Sequence, residues 1–185
     1  SAWRVVSEFN ESAVAIIKHT NPCGAGIGKD FNEAYKKAYN SDPQSAYGGI
    51  VAFNGRVDLE TAHLLRGHFY EVVVAEDFTN DALEFFKSKK KNLKVVKMLK
   101  KPEGFEIRSV SGGILYQKYI EKDPEFRVVT RRGPNERERN DLLFAWKIAK
   151  HVKSNAIVLA KDLGTIGIGA GQMSRVDSVR IAIMK

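Results

Sequence analysis

The sequence predicts an α/β fold, and three observations carry that reading. Short β-branched apolar runs have strand length, capped helical stretches lie between them, and 43% apolar with 28% charged residues is the make-up of an ordinary globular domain. Val14 to Ile17 reads as a buried strand ending at Lys18-His19. A loop from Thr20 to Lys29 follows, carrying Gly24, Gly26 and Gly28. Asp30 with Glu33 resembles a capping box, so a helix is expected from about Phe31 to Asn40. Ser41-Asp42-Pro43 breaks the chain, and Gly49 to Phe53 reads as the second strand. Asp58 caps a helix to about Arg66, and Val72 to Ala75 is a third strand. Thr79 or Asn80 caps a helix running into lysines near Lys91. Lys94 to Leu99 reads as a strand, and Ile107 to Tyr116 is β-like, interrupted by Gly112-Gly113.

Charges, Pro124, Gly133 and Pro134 mark Tyr119 to Asn135 as a linker. Leu142, Leu143, Ala145, Trp146, Ala149 and Val152 then give a helix over about Glu136 to Val152 a broad apolar face. Ala156 to Ala160 and Thr165 to Ile168 read as a hairpin around Asp162-Leu163-Gly164, and a glycine loop to Gly171 leads into a helix near Val176. That helix carries no stop signal at Ile181 to Lys185, which suggests a truncated chain. No internal repeat is visible.

Several function classes lose support at once. The 185 residues hold no apolar run of about 20, and Ser1-Ala2-Trp3-Arg4 is no signal peptide. Cys23 is the one cysteine, so an internal disulfide and an all-cysteine zinc site are excluded, and a reducing compartment, the cytoplasm, is expected. The four histidines show no zincin spacing. Pro22-Cys23 matches half of the zinc-deaminase Pro-Cys-x-x-Cys, but Gly26 stands at the second cysteine position. No metal is expected. The net charge of +8 favours anionic ligands without choosing among them.

Three stretches could carry chemistry. Lys18-His19 ends a strand and enters a glycine-rich turn, where His19 could act as a base near neutral pH and Lys18 could stabilise an oxyanion. Both reach one site only if the strand has ended there; the alternative is an exposed Lys beside a backbone-satisfied His. In Ser41 to Gly49, Gly48-Gly49 permits close backbone approach to a ligand, or simply turns the chain into a strand. From Lys153-Ser154-Asn155 through Gly167-Ile168-Gly169-Ala170-Gly171 to Arg175, a glycine loop before a helix has the look of an anion site, or of a tight hairpin-to-helix junction. It lacks the spacing of a dinucleotide fingerprint and the Gly-Lys-Ser/Thr of a P-loop. The lysines at 87, 89 to 91, 94, 97, 100 and 101 read as a solvated helix end and edge strand, with nucleic-acid binding as the competing reading.

On the segments AVAIIKHTNPCGAGIG, DPQSAYGGIVAFN, RSVSGGILYQ and DLLFAWKIAKHVKSNAIVLAKDLGTIGIGAGQMSRVDSVRIA, the chain resembles the transformylase half of the AICAR transformylase/IMP cyclohydrolase family. The resemblance implies formyl transfer from 10-formyltetrahydrofolate to the 5-amino group of AICAR. It implies His19 as proton acceptor, Lys18 as transition-state stabiliser and Asn155 near the reacting groups. It places Gly48 and Glu71 at AICAR-contacting positions, and Arg175 and Val176 at folate-contacting ones. It implies two cytidine-deaminase-like three-layer α/β/α subdomains without the deaminase zinc. Residues 1–125 would form the first, and 126–185 a linker helix and the truncated start of the second. It implies an intertwined homodimer with shared active sites. The family's cyclohydrolase domain and the last part of its transformylase half lie outside this sequence. Two other readings stay open: an incomplete fragment that only binds folate or nucleotide, and a basic nucleic-acid-binding module.

Overall fold

The computed structural model describes residues 1–90, 92–98, 100, 103–118 and 124–185. Helix α1 (Ala2–Val6) precedes the hairpin β1 (Ser12–Lys18) and β2 (Asn21–Gly28), which leads into α2 (Phe31–Ser41) and the single turn α3 (Pro43–Ala46). Then come β3 (Gly49–Phe53), β4 (Arg56–Val57), α4 (Leu59–Leu64), β5 (Tyr70–Ala75), β6 (Asp77–Phe78), α5 (Asn80–Lys89) and β7 (Lys94–Lys97). The hairpin β8 (Phe105–Val110) and β9 (Gly113–Lys118) stands apart from the main sheet. Finally α6 (Glu136–Ala149), the hairpin β10 (Ile157–Lys161) and β11 (Gly164–Gly169), and α7 (Arg175–Met184) close the chain. Lys91, Leu99, Lys101 and the linker's first residues, 119–123, lie outside the described residues.

Seven strands form one mixed sheet in the order β10-β11-β2-β1-β3-β5-β7. β3, β5 and β7 run parallel, and the remaining neighbours pair antiparallel. One core layer packs α2 and the α4–α5 pair against Val14, Ile16, Val51, Phe53 and Val73. The other packs α1 and α6 against Ala15, Ile17, Ala52 and Val74. The α/β expectation therefore holds as three layers. The caps behave as their side chains dictate: Asp30, Asp58 and Thr79 accept from the backbone N–H three residues on, and Asn135 with Glu138 closes a full capping box. Lys94 and Lys97 sit on the edge strand β7, where charge blocks further pairing.

The loop expected over residues 20–29 is instead β2, a central strand. Glycine weakens a strand, which hides β2 in the sequence, but these glycines face α2. A Cβ at Gly24 would stand 1.9 Å from the Ala38 carbonyl oxygen. The second glycine run needs the same correction. Gly167 and Gly169 belong to β11, where a Cβ would meet the carbonyl oxygens of Ala182 and Ser178 in α7, each at 1.9 Å. They bring a helix close to the sheet and are not free to cradle an anion.

This parallel exposes a repeat that composition does not show. Laying Lys18 on Lys161 aligns, without a gap, Ala2-Trp3 with Ala145-Trp146, Ala13 with Ala156, and Gly24, Gly26 and Gly28 with Gly167, Gly169 and Gly171. The backbone repeats too. Both hairpins carry a register shift at the same point, Ile16/Ile17 and Leu159/Ala160. Both turn through two left-handed non-glycine residues, His19-Thr20 and Asp162-Leu163. The two helix–hairpin–helix units lie side by side and antiparallel, β2 against β11, so an approximate two-fold axis relates them. Glu8 and His151, equivalent in this alignment, meet there: the Glu8 carboxylate and His151 Nε2 are 2.9 Å apart.

Candidate functional site

The end of β1, the starts of β2, β3, β5 and β10, and the end of β11 lie along one edge of the sheet. Lys18, His19, Gly48, Glu71, Asn155, Arg175 and Val176 sit on or beside that edge. For the parallel strands β3 and β5 it is the amino end, so the general rule for carboxyl-end sites applies only to β1 and β11.

β1 stops at Lys18, and the two residues after it are left-handed, His19 at φ 48° and Thr20 at φ 70°. Lys18 pairs with Asn21 across this two-residue turn, the primed hairpin geometry that normally selects Asn and Gly. A β-branched threonine there is costly, on the order of 1–3 kcal/mol. The strand has therefore ended at Lys18, and His19 is exposed beyond the pleat. Lys18 is half-buried and held: Nζ donates to the carbonyl oxygens of Tyr47 (2.8 Å) and Gly48 (3.1 Å). Those two neutral acceptors leave the ammonium its full charge and one remaining proton to donate.

Gly48 is left-handed at φ 64°, and a Cβ there would lie 3.1 Å from Lys18 Nζ and 3.4 Å from the Phe69 ring. Its N–H donates to Phe69 O at 2.8 Å. So Gly48 shapes the lysine's seat. The Tyr47 and Phe69 rings pack at 5.1 Å and stay 69% and 44% exposed, a feature that sequence reasoning did not anticipate because no pattern signals an exposed aromatic pair. Glu71 is exposed at the start of β5, next to the strand that Gly49 opens.

Asn155 lies in the turn before β10, after a cis Ser154–Asn155 peptide. Its Nδ2 donates to Gln172 O (3.0 Å) and Met173 O (2.9 Å). Both partners are carbonyl oxygens, so the amide nitrogen must stand there, and Oδ1 is the atom left to meet a ligand as an acceptor. Asn155 O accepts from Ser178 Oγ at 2.7 Å, fastening the same turn to α7. The adjacent Lys153 N–H donates to Asn21 Oδ1 (3.0 Å), which ties this turn to the foot of the His19 hairpin. Arg175 and Val176 open α7 and are both exposed.

Contacts thus link Lys18 with Gly48, and the His19 hairpin with the Asn155 turn and α7; among the described residues, none of the hydrogen bonds or ion pairs ties Glu71 to either group. Cys23, by contrast, is buried in β2, and burial pushes its thiol up to about 12, which suits packing and not nucleophilic chemistry. Among the described residues, no group of three or more His, Cys, Asp or Glu could hold a metal ion, and no helix is long and apolar enough to cross a membrane. A groove of about 790 Å³ lies elsewhere, between α6 and β10, lined in part by Arg132, Arg137, Leu142, Val158 and Lys161, and it contains none of the candidate residues.

Known proteins resemble the chain along its whole length. The bifunctional purine biosynthesis protein PurH of Persephonella marina is 51% identical over all of this chain and 37% of its own length. Its counterpart in Desulfitobacterium hafniense is also 51% identical, over 99% of the chain, and that of Aquifex aeolicus 50% over all of it. The chain thus spans little more than a third of the length of the curated relatives it matches. The family model described as AICARFT/IMPCHase bienzyme matches residues 1–185. The chain belongs to that family of purine-biosynthesis enzymes.

Proposed function

We propose that this region serves formyl transfer, from 10-formyltetrahydrofolate to the 5-amino group of AICAR. One observation carries the reading most: a lysine ammonium fixed by two backbone carbonyls beside a histidine carried out of the strand by a left-handed turn. The acceptor amine is conjugated with its imidazole carboxamide and is a poor nucleophile. It must lose a proton as the C–N bond forms, and the tetrahedral oxyanion must be stabilised. His19 accepts the proton and Lys18 faces the oxyanion. Asn155 Oδ1 accepts a hydrogen bond from substrate nitrogen, because its Nδ2 is committed to the loop and cannot serve the formyl oxygen.

Gly48 and Glu71 contact AICAR, and Arg175 with Val176 contact the folate, whose glutamate carboxylates suit the guanidinium. The enzyme works as a cytoplasmic homodimer. The repeat supports reading residues 126–185 as a linker helix and the opening of a second subdomain. Since the chain spans about a third of its relatives' length, binding without turnover is the second reading for residues 1–185 alone.

The test follows tetrahydrofolate formation from AICAR and 10-formyltetrahydrofolate, with this chain and with the full-length protein. Turnover abolished by His19→Ala in a folded full-length variant is the expected result. Full-length turnover that survives His19→Ala removes the proposed role of that residue. Ring closure of FAICAR to IMP by residues 1–185 alone, without formyl transfer, would overturn the assignment to this half of the bienzyme.

A further inference from the structure

The second copy of the hairpin shows what its turn can hold. At Asp162-Leu163 both turn N–H groups donate to one carboxylate: Asp162 N to Asp141 Oδ2 at 3.1 Å, and Leu163 N to Asp141 Oδ1 at 2.7 Å. The turn at His19-Thr20 has the same length, the same lysine before it and the same left-handed conformation at both residues. Two left-handed residues in a hairpin turn point successive N–H groups outward on the same side, a small anion-binding concavity. Among the described residues, no acceptor lies against His19 N or Thr20 N.

We infer that the His19-Thr20 turn is a two-pronged carboxylate site, in which these two backbone N–H groups take the two oxygens of a single carboxylate. Left-handed backbone is strained at non-glycine residues, and charge-assisted bonds to an anion are the strong kind that offsets such strain. The Asp141 carboxylate does this for the second turn, and the ammonium of Lys18 adds favourable charge at the first. The carboxylate has two possible sources. It is a side chain of the protein from outside residues 1–185, playing the part of Asp141, or it belongs to a bound substrate. Either way it fixes the backbone that carries His19, so the two N–H groups position that residue and take no part in the chemistry themselves. The inference stands whether or not formyl transfer is the reaction.

The test reads amide resonances of ¹⁵N-labelled chain while sodium acetate replaces sodium chloride at constant ionic strength. Saturable shifts at His19 and Thr20, with Asp162 and Leu163 unmoved, are expected. In Asp141→Ala the amides of Asp162 and Leu163 should become acetate-sensitive as well, which calibrates the probe. In the full-length protein, slow exchange at His19 and Thr20 that ignores acetate identifies a carboxylate of the protein itself. Acetate-sensitive amides from which folate displaces the acetate identify a substrate carboxylate. Amides at His19 and Thr20 that ignore acetate in this chain, and exchange in the full-length protein as fast as unbonded ones, overturn the inference.

Discussion

Replacing Thr165 by valine tests how the two halves of the sheet are joined. β2 and β11 share a single residue bridge, Gly26 with Gly164. Beside it the Thr165 hydroxyl works in both directions, accepting from Ala25 N at 2.9 Å and donating to Ala25 O at 3.1 Å, with Thr165 only 2% exposed. Valine keeps the shape and removes the hydroxyl, so a buried N–H and a buried carbonyl both lose their partner. An unsatisfied buried donor costs about 1–3 kcal/mol and a carbonyl somewhat less, so the expected loss is about 2–4 kcal/mol. Against a total stability of about 5–15 kcal/mol, that is a large fraction. In a chain of this size it lowers the melting temperature by about 5–15 °C. Urea unfolding followed by circular dichroism, with m unchanged, measures it. Thr165→Ser keeps both bonds and should lose no more than about 1 kcal/mol. A Thr165→Val loss below about 1 kcal/mol, or one equal to that of the serine variant, would refute the hydroxyl as the clasp.

Gly24→Ala puts a Cβ 1.9 Å from a backbone carbonyl of α2; the helix must move, so a loss at or above the top of the usual overpacking range, about 3 kcal/mol, is expected in the same unfolding assay. Gly48→Ala adds about 1–2 kcal/mol of left-handed strain and crowds Lys18 Nζ. In the full-length enzyme it should lower kcat for formyl transfer at least tenfold with a modest stability loss, and an unchanged kcat would contradict the seat described for Lys18. Burial pushes the Glu8 carboxyl up, but hydrogen bonds from His151 and Lys150 outweigh it and hold the group below its ordinary value of 4.5. A depressed carboxylate contributes stability above its unfolded value that is lost as pH falls through the folded one. Stability should therefore drop as the medium is acidified below about 4.5, and Glu8→Gln should flatten that part of the curve; parallel curves would show that the contact carries no linkage.

Periodic and capped elements were legible from the residues. β3, the start of α2 and the start of α6 lie where the apolar runs and Asp30 put them, while the Asn135 cap is visible only in the structure. Helix α1 was missed because five residues give no period to read. β2 was missed because its glycines answer to α2, a partner that local propensity cannot know about. At the site, Lys18, His19, Gly48 and Asn155 were found through the family resemblance more than through spacing, and the structure adds which atoms are already engaged. That Asn155 can offer a ligand only Oδ1, and that Lys18 is held by Tyr47 and Gly48, depends on contacts across the fold.

The repeat also limits what strain at His19 can mean. A left-handed threonine beside a histidine, at the end of a strand, invites the reading that the backbone is strained for catalysis. Yet Asp162-Leu163 carries the same strain at the opposite end of the sheet. There Asp162 forms an ion pair with Arg137, and Leu163 packs against the core that α1 and α6 share. The unusual dihedrals therefore belong to the hairpin motif, which builds them wherever a two-residue connection joins such strands. What sets the first turn apart is its surroundings: His19 and Thr20 are exposed, and Lys18 is anchored to a neighbouring loop. The role proposed for this edge therefore rests on those side chains and on what the turn's N–H groups bind, not on the strain of the turn itself.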